Sequence, residues 1–95
     1  MSDQAPPDYP ASADDTRRRR ILFRATHRGT HENDLLIGDF VRARIAVFVE
    51  AEMDALEEVM ELPDTDLADW LTGRRPIPVA VDSPMLRAIK DAARG

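Results

Sequence analysis

The sequence predicts an all-α protein, a compact bundle of five short helices. Two observations lead there. Apolar residues recur at spacings of three and four along most of the chain, while aromatic residues make up only 5% and strand markers are sparse. Glycine, proline and capping residues also fall where short helices should start and stop. With 95 residues there is room for one domain. A chain of that size buries about 60–65% of its unfolded surface and is stable by roughly 5–10 kcal/mol.

Residues 1–13 contain Pro6, Pro7 and Pro10 and little that is apolar, so they are expected to form a disordered tail before a single helical domain at 14–95. Asp14, Asp15 and Thr16 supply capping groups and negative charge for helix 1, placed at about 15–27 with Ile21, Leu22 and Ala25 as its apolar positions. Gly29 follows as a left-handed stop, and Thr30 is the candidate N-cap of helix 2. The stripe of helix 2 comprises Leu35, Leu36, Ile37, Phe40, Val41, Ile45 and Phe48. No Gly or Pro marks its end, so two helices meeting near 46–49 and one long helix over 30–62 both fit.

Helix 3, at about 50–62, should turn Met53, Leu56, Val59 and Met60 inward and stop at Pro63. The Asp64-Thr65-Asp66 run should cap helix 4, which carries Leu67, Trp70 and Leu71 and ends at Gly73. Residues 74–82, with Pro76 and Pro78, read as an extended connector. Ser83 as N-cap and Pro84 at the first helical position then open helix 5, with Met85, Leu86, Ile89 and Ala93 on one side.

Charge is unevenly spread. The net charge of −5 argues against nucleic acid as the main partner, yet residues 17–44 hold eight arginines and residues 50–69 hold nine carboxylates with no base. The absence of cysteine excludes disulfides and thiolate metal sites. No stretch approaches the roughly 18–20 apolar residues that span a bilayer. The acidic start fits neither a secretion signal nor a mitochondrial presequence, and the expectation is a bacterial-type cytoplasmic protein, a monomer when free.

The densest cluster of polar chemistry is His27-Arg28-Gly29-Thr30-His31-Glu32-Asn33-Asp34 at the corner between helices 1 and 2. An arginine on a rigid turn can present a bidentate fork to a partner, and a glycine admits another chain closely. The plainer alternative has Gly29 as a helix C-cap, Thr30 as an N-cap and Arg28 with Glu32 as a solvated pair, worth under about 1 kcal/mol. Periodicity by itself favours the plainer one.

Arg28-Gly29-x-x-Glu32, following an arginine-rich helix and followed by Asp34, resembles the RGxxE motif of the SdhE family, the flavinylation and assembly factors of succinate dehydrogenase. The likeness continues through helix 2 and Asp66-Leu67-x-x-Trp70-Leu71, covering about 17–94. It implies a non-enzymatic helper that binds the succinate dehydrogenase flavoprotein subunit and promotes covalent attachment of FAD to it. A related fumarate reductase flavoprotein is the second implied client. Arg28, Gly29 and Glu32 are then the contact surface, with Asp34 close by and His27 and His31 as flanking contacts. The cofactor belongs to the client, and the chain itself is expected to hold none. Where the family usually has a basic residue and a methionine, this sequence has His27 and Thr30.

Other readings are weaker. His27 and His31 are four apart, but Gly29 between them breaks the helix on which they would share a metal. Arg17 to Arg20 with Arg24 suggest phosphate tracking, without the interleaved aromatics that would strengthen a nucleic-acid reading. The acidic stretch lacks calcium-loop spacing, and Trp70 between Leu67 and Leu71 reads as core. No nucleophile or phosphate loop supports catalysis. A regulatory interaction module such as an antitoxin, or a nucleic-acid-binding helical domain, remain the alternative functions.

Overall fold

A computed structural model describes residues 13–94. The helices are α1 Ala13–Thr26, α2 His31–Arg44, α3 Glu50–Met60, α4 Asp64–Thr72 and α5 Pro84–Ala93, with 3-10 turns at Ile45–Val47 and Val79–Val81. Among the described residues there is no strand. Ala13 is the first residue of α1, and the rest of the expected tail lies outside the described residues.

Local chemistry explains most boundaries. Thr30 Oγ1 accepts the Asn33 amide at 3.3 Å, and Ser83 Oγ accepts that of Leu86 at 3.1 Å, so both act as N-caps. Gly73 ends α4 at a φ of 82°, the left-handed region where a side chain is strained. One expectation needs correction: the N-cap position of α4 is Pro63, and the Asp64 side chain is turned instead toward Arg28 of the α1–α2 corner and Asn33 of α2.

Helices 2 and 3 are separate. Arg44 leaves helical geometry at φ −125°, a 3-10 turn follows, and Phe48 and Val49 are extended. A local and a distant contact favour the break. The Glu52 carboxylate accepts the Val49 amide at 2.9 Å, the side-chain half of a capping box, and Arg18 of α1 donates to the Ile45 carbonyl.

One core joins all five helices. Ile21, Ile37, Met53, Leu56, Leu67, Leu71, Leu86 and Ile89 are fully buried, and Trp70 packs among them. The apolar stripe of α2 holds except at Leu35, which is 49% exposed. Helix α1 lies on α2, and α5 closes the bundle against α2, α3 and α4. Gly38 makes the α1–α2 approach close: a Cβ there would stand 3.0 Å from Thr26 Cγ2 and 3.3 Å from the Ala25 carbonyl oxygen.

The charge asymmetry of the sequence is largely answered within the fold. Arg17 meets Asp54 and Glu57, Arg24 meets Glu61 and, at 3.9 Å, Glu57, and Arg28 meets Asp64. These arginines form a ladder along one side of α1 and into the corner beyond it, against the acidic face of α3 and the start of α4. The hydrogen bonds that Arg17 donates to Asp54 and then Glu57 hold its guanidinium above its ordinary pKa.

Candidate functional site

The α1–α2 corner is built from both helix ends inward. At the end of α1 the Thr26 hydroxyl donates to the Leu22 carbonyl at 2.9 Å, and His27 Nδ1 donates to that of Phe23 at the same distance. The His27 ring also stacks on Phe23, with centroids 4.0 Å apart and planes 14° from parallel. Gly29 then turns the chain at φ 101°, with nothing within 4 Å of where a Cβ would stand. His31 opens α2, and Gly29, Thr30, His31 and Glu32 form an exposed rim.

Arg28 departs from the expectation of a cation offered outward. Its side chain is only 9% exposed. Nε donates to Asp64 Oδ1 at 2.5 Å, Nη1 to the Met60 carbonyl at 2.8 Å and Nη2 to the Leu62 carbonyl at 3.2 Å. The guanidinium therefore satisfies carbonyls at the C-terminal end of α3, where a helix dipole favours positive charge. The Arg28 amide donates to Asp34 Oδ1 at 2.7 Å, which closes the turn and explains the aspartate near the motif.

Glu32 does not pair with Arg28 either. Its carboxylate accepts from Arg74 Nη2 at 3.1 Å, just beyond the end of α4. Arg74 also reaches Asp69, which in turn accepts from Arg75 at 2.8 Å. Hydrogen bonds from Arg74 first and Arg75 second hold the Asp69 carboxyl below its ordinary pKa of 3.8.

The structure thus brings His27, Gly29, His31 and Glu32 together on the rim and puts Arg28 and Asp34 beneath it. Nothing in the sequence marks Asp64 or Arg74 as part of the corner, and Asn33 reads there only as one of its polar residues. Asn33 is fully buried, and its Nδ2 donates to the Asp64 carbonyl at 2.8 Å and to Asp64 Oδ1 at 3.0 Å. An asparagine flanked by Asp34, Leu35 and Leu36 carries no local sign that it will be enclosed.

The four consecutive arginines divide. Arg17 and Arg18 are bound to α3 and to Ile45, whereas Arg19 and Arg20 are exposed and have no ion pair among the described residues. Among the described residues no group of three or more His, Asp or Glu side chains is arranged to hold a metal ion. No described helix is long and apolar enough to cross a membrane. What the arrangement offers is an exposed polar rim with a backbone open to close approach at Gly29, with Glu32 paired to Arg74 and Arg28 to Asp64 beneath it.

Residues 19–93 match the family model described as flavinator of succinate dehydrogenase. The chain is 47% identical over 78 residues to the FAD assembly factor SdhE of Acetobacter pasteurianus, covering 82% of this chain and 72% of that protein. It is also similar to two proteins named as mitochondrial succinate dehydrogenase assembly factors. For factor 2 of Mycosarcoma maydis the identity is 33%, over 76% of this chain and 30% of that protein. For factor 2-B of Drosophila melanogaster it is 34%, over 90% and 58%. The chain thus spans well under two thirds of these two mitochondrial relatives. No solved structure matches the chain. With nearly four fifths of its length inside the family model and close similarity to a bacterial assembly factor, the chain belongs to the family of succinate dehydrogenase flavinators.

Proposed function

We propose that the protein binds the flavoprotein subunit of succinate dehydrogenase during maturation and promotes covalent attachment of FAD to that subunit. The observation that carries this reading is the exposed Gly29–Glu32 rim, where the backbone is open and the side chains around it are held in place. Docking uses Gly29, His31 and Glu32 directly, with His27 at the edge and Arg28 and Asp34 supporting from below. Membership in the flavinator family supplies the client class.

The protein is an assembly factor rather than a catalyst. It acts by favouring a client conformation in which flavin and acceptor side chain are aligned, so that the bond-forming chemistry remains the client's own. A related fumarate reductase flavoprotein is a second client of the same rim. We place the protein in the bacterial cytoplasm, as a monomer before docking. The nucleic-acid alternative loses ground because Arg17, Arg18 and Arg24 are engaged within the fold.

In-gel fluorescence of the denatured flavoprotein, produced with and without this protein, tests the proposal. Covalent flavin should rise when the protein is present, and equal fluorescence in both lanes removes the reading. Free FAD should bind weakly to the isolated chain, and a tight stoichiometric complex would demand a different mechanism.

A further inference from the structure

The arginine of the corner is turned away from the surface on which it would meet a client. Guanidinium has five N–H donors. One on each nitrogen is already committed, to Asp64 and to the carbonyls of Met60 and Leu62, and the side chain is 9% exposed. A fork for a partner carboxylate needs two parallel donors facing outward. The two N–H groups that remain, one on each Nη, belong to a side chain almost entirely covered, so Arg28 offers little of its guanidinium to a partner in its present site.

Asp64 is the hub of this arrangement. Its carboxylate takes Arg28 Nε and Asn33 Nδ2 on the same oxygen, and its carbonyl takes Asn33 Nδ2 as well. Arg28 precedes Gly29 and Asn33 follows it, so Asp64 grips the chain on both sides of the turn. The Arg28 amide on Asp34 ties the turn to the first turn of α2. The corner is thereby fastened to the α3–α4 junction, which is more than thirty residues away along the chain.

We propose that Arg28 is a positioning residue in client docking, and that Asp64 and Asn33 determine client affinity together with it. The cluster holds the Gly29–Glu32 backbone in one arrangement before the client arrives, so that the ordering cost of a loose turn is not met at the moment of binding. This rests on the docking reading above. It goes further by separating the groups that touch the client (Gly29, His31 and Glu32) from those that hold them.

The test is a double-mutant cycle with two readouts. Arg28→Ala, Asp64→Ala and the double variant are compared with the wild-type chain, with circular dichroism establishing that each is folded at the working temperature. Amide hydrogen exchange on the free protein should quicken at Gly29 to Asn33 in both single variants. Affinity for the purified flavoprotein subunit should fall about tenfold or more in each, and the double variant should be no worse than about threefold beyond the weaker single, because both changes release the same clasp. Arg28→Lys and Asp64→Asn, which keep size while losing the fork or the charge, should fall between; they carry the test if an alanine variant is unfolded.

A purely structural role would lower melting temperature and leave the affinity of the folded fraction unchanged, which would overturn the proposal. So would Asp64→Ala binding like wild type while Arg28→Ala does not, or losses that multiply in the double variant, since either result puts Arg28 in direct contact with the client. Unchanged exchange at the corner would show that no clasp exists. If the wild-type chain binds no flavoprotein, the docking reading falls and this inference with it, a result distinct from every variant-specific outcome.

Discussion

Gly38→Ala separates the close approach of α1 and α2 from simple helix propensity. In an exposed helix interior this change stabilises by about 1 kcal/mol, because alanine loses less backbone entropy than glycine. Here the new Cβ would stand 3.0 Å from Thr26 Cγ2, 3.3 Å from the Ala25 carbonyl oxygen and 3.4 Å from Thr26 Cα. Two of these neighbours are backbone. The third belongs to a side chain whose hydroxyl is tied to the Leu22 carbonyl, so its rotamer is not free to move aside. Overpacking of this kind costs about 1–3 kcal/mol.

The net expectation for Gly38→Ala is a loss of about 1 kcal/mol, or roughly 4–8 °C in melting temperature for a domain of this size. Urea unfolding followed by circular dichroism measures it. Thr26→Ser removes the offending methyl and keeps the hydroxyl, so Gly38→Ala in that background should be less harmful by about 0.5 kcal/mol or more. If Gly38→Ala stabilises the wild-type chain by the full propensity gain, the two helices do not approach as described. The corner they hold would then be less constrained.

Further predictions follow from individual sites. Gly29→Ala has room for its side chain but must keep φ near 101°, so it should cost about 1–2 kcal/mol from backbone strain alone, read from the urea midpoint. Asp69 and Asp82 sit below their ordinary pKa of 3.8 because Arg74 with Arg75, and Arg87, hydrogen-bond their ionised forms. A carboxylate depressed by folding contributes fully above its unfolded value, and the contribution is lost as pH falls through the folded value. The urea midpoint should therefore drop below about pH 4, and Asp69→Asn with Asp82→Asn should flatten that drop; identical acid sensitivity in the double variant would refute it. Arg17→Ala should lower the melting temperature and weaken its dependence on salt, whereas Arg19→Ala should change neither, because Arg17 reaches Asp54 and Glu57 and Arg19 does not.

Much of the fold was legible because helices are written locally. Spacings of three and four located all five helices, and Thr30, Gly73, Ser83 and Pro84 marked ends that the structure keeps. The corner itself, with Gly29 as its turn, was also readable, and the motif carried a resemblance that the family match bears out. The α2–α3 break is not legible in the same way because part of its cause is the contact from Arg18, 27 residues away, which no local pattern records.

The sequence by itself determined which residues make helices, which faces are apolar and where the chain turns, because those properties depend on neighbours within about four positions. Only the tertiary structure decided the direction of the corner's charges. Arg28 finds Asp64 at a separation of 36 residues, and Glu32 finds Arg74 at 42. A charged side chain near a turn has water, a neighbour and a distant carboxylate as competing partners. The packing of α3 and α4 against the corner selects among them, and it places the Arg28 guanidinium against Asp64 and the carbonyls of Met60 and Leu62, beneath the rim.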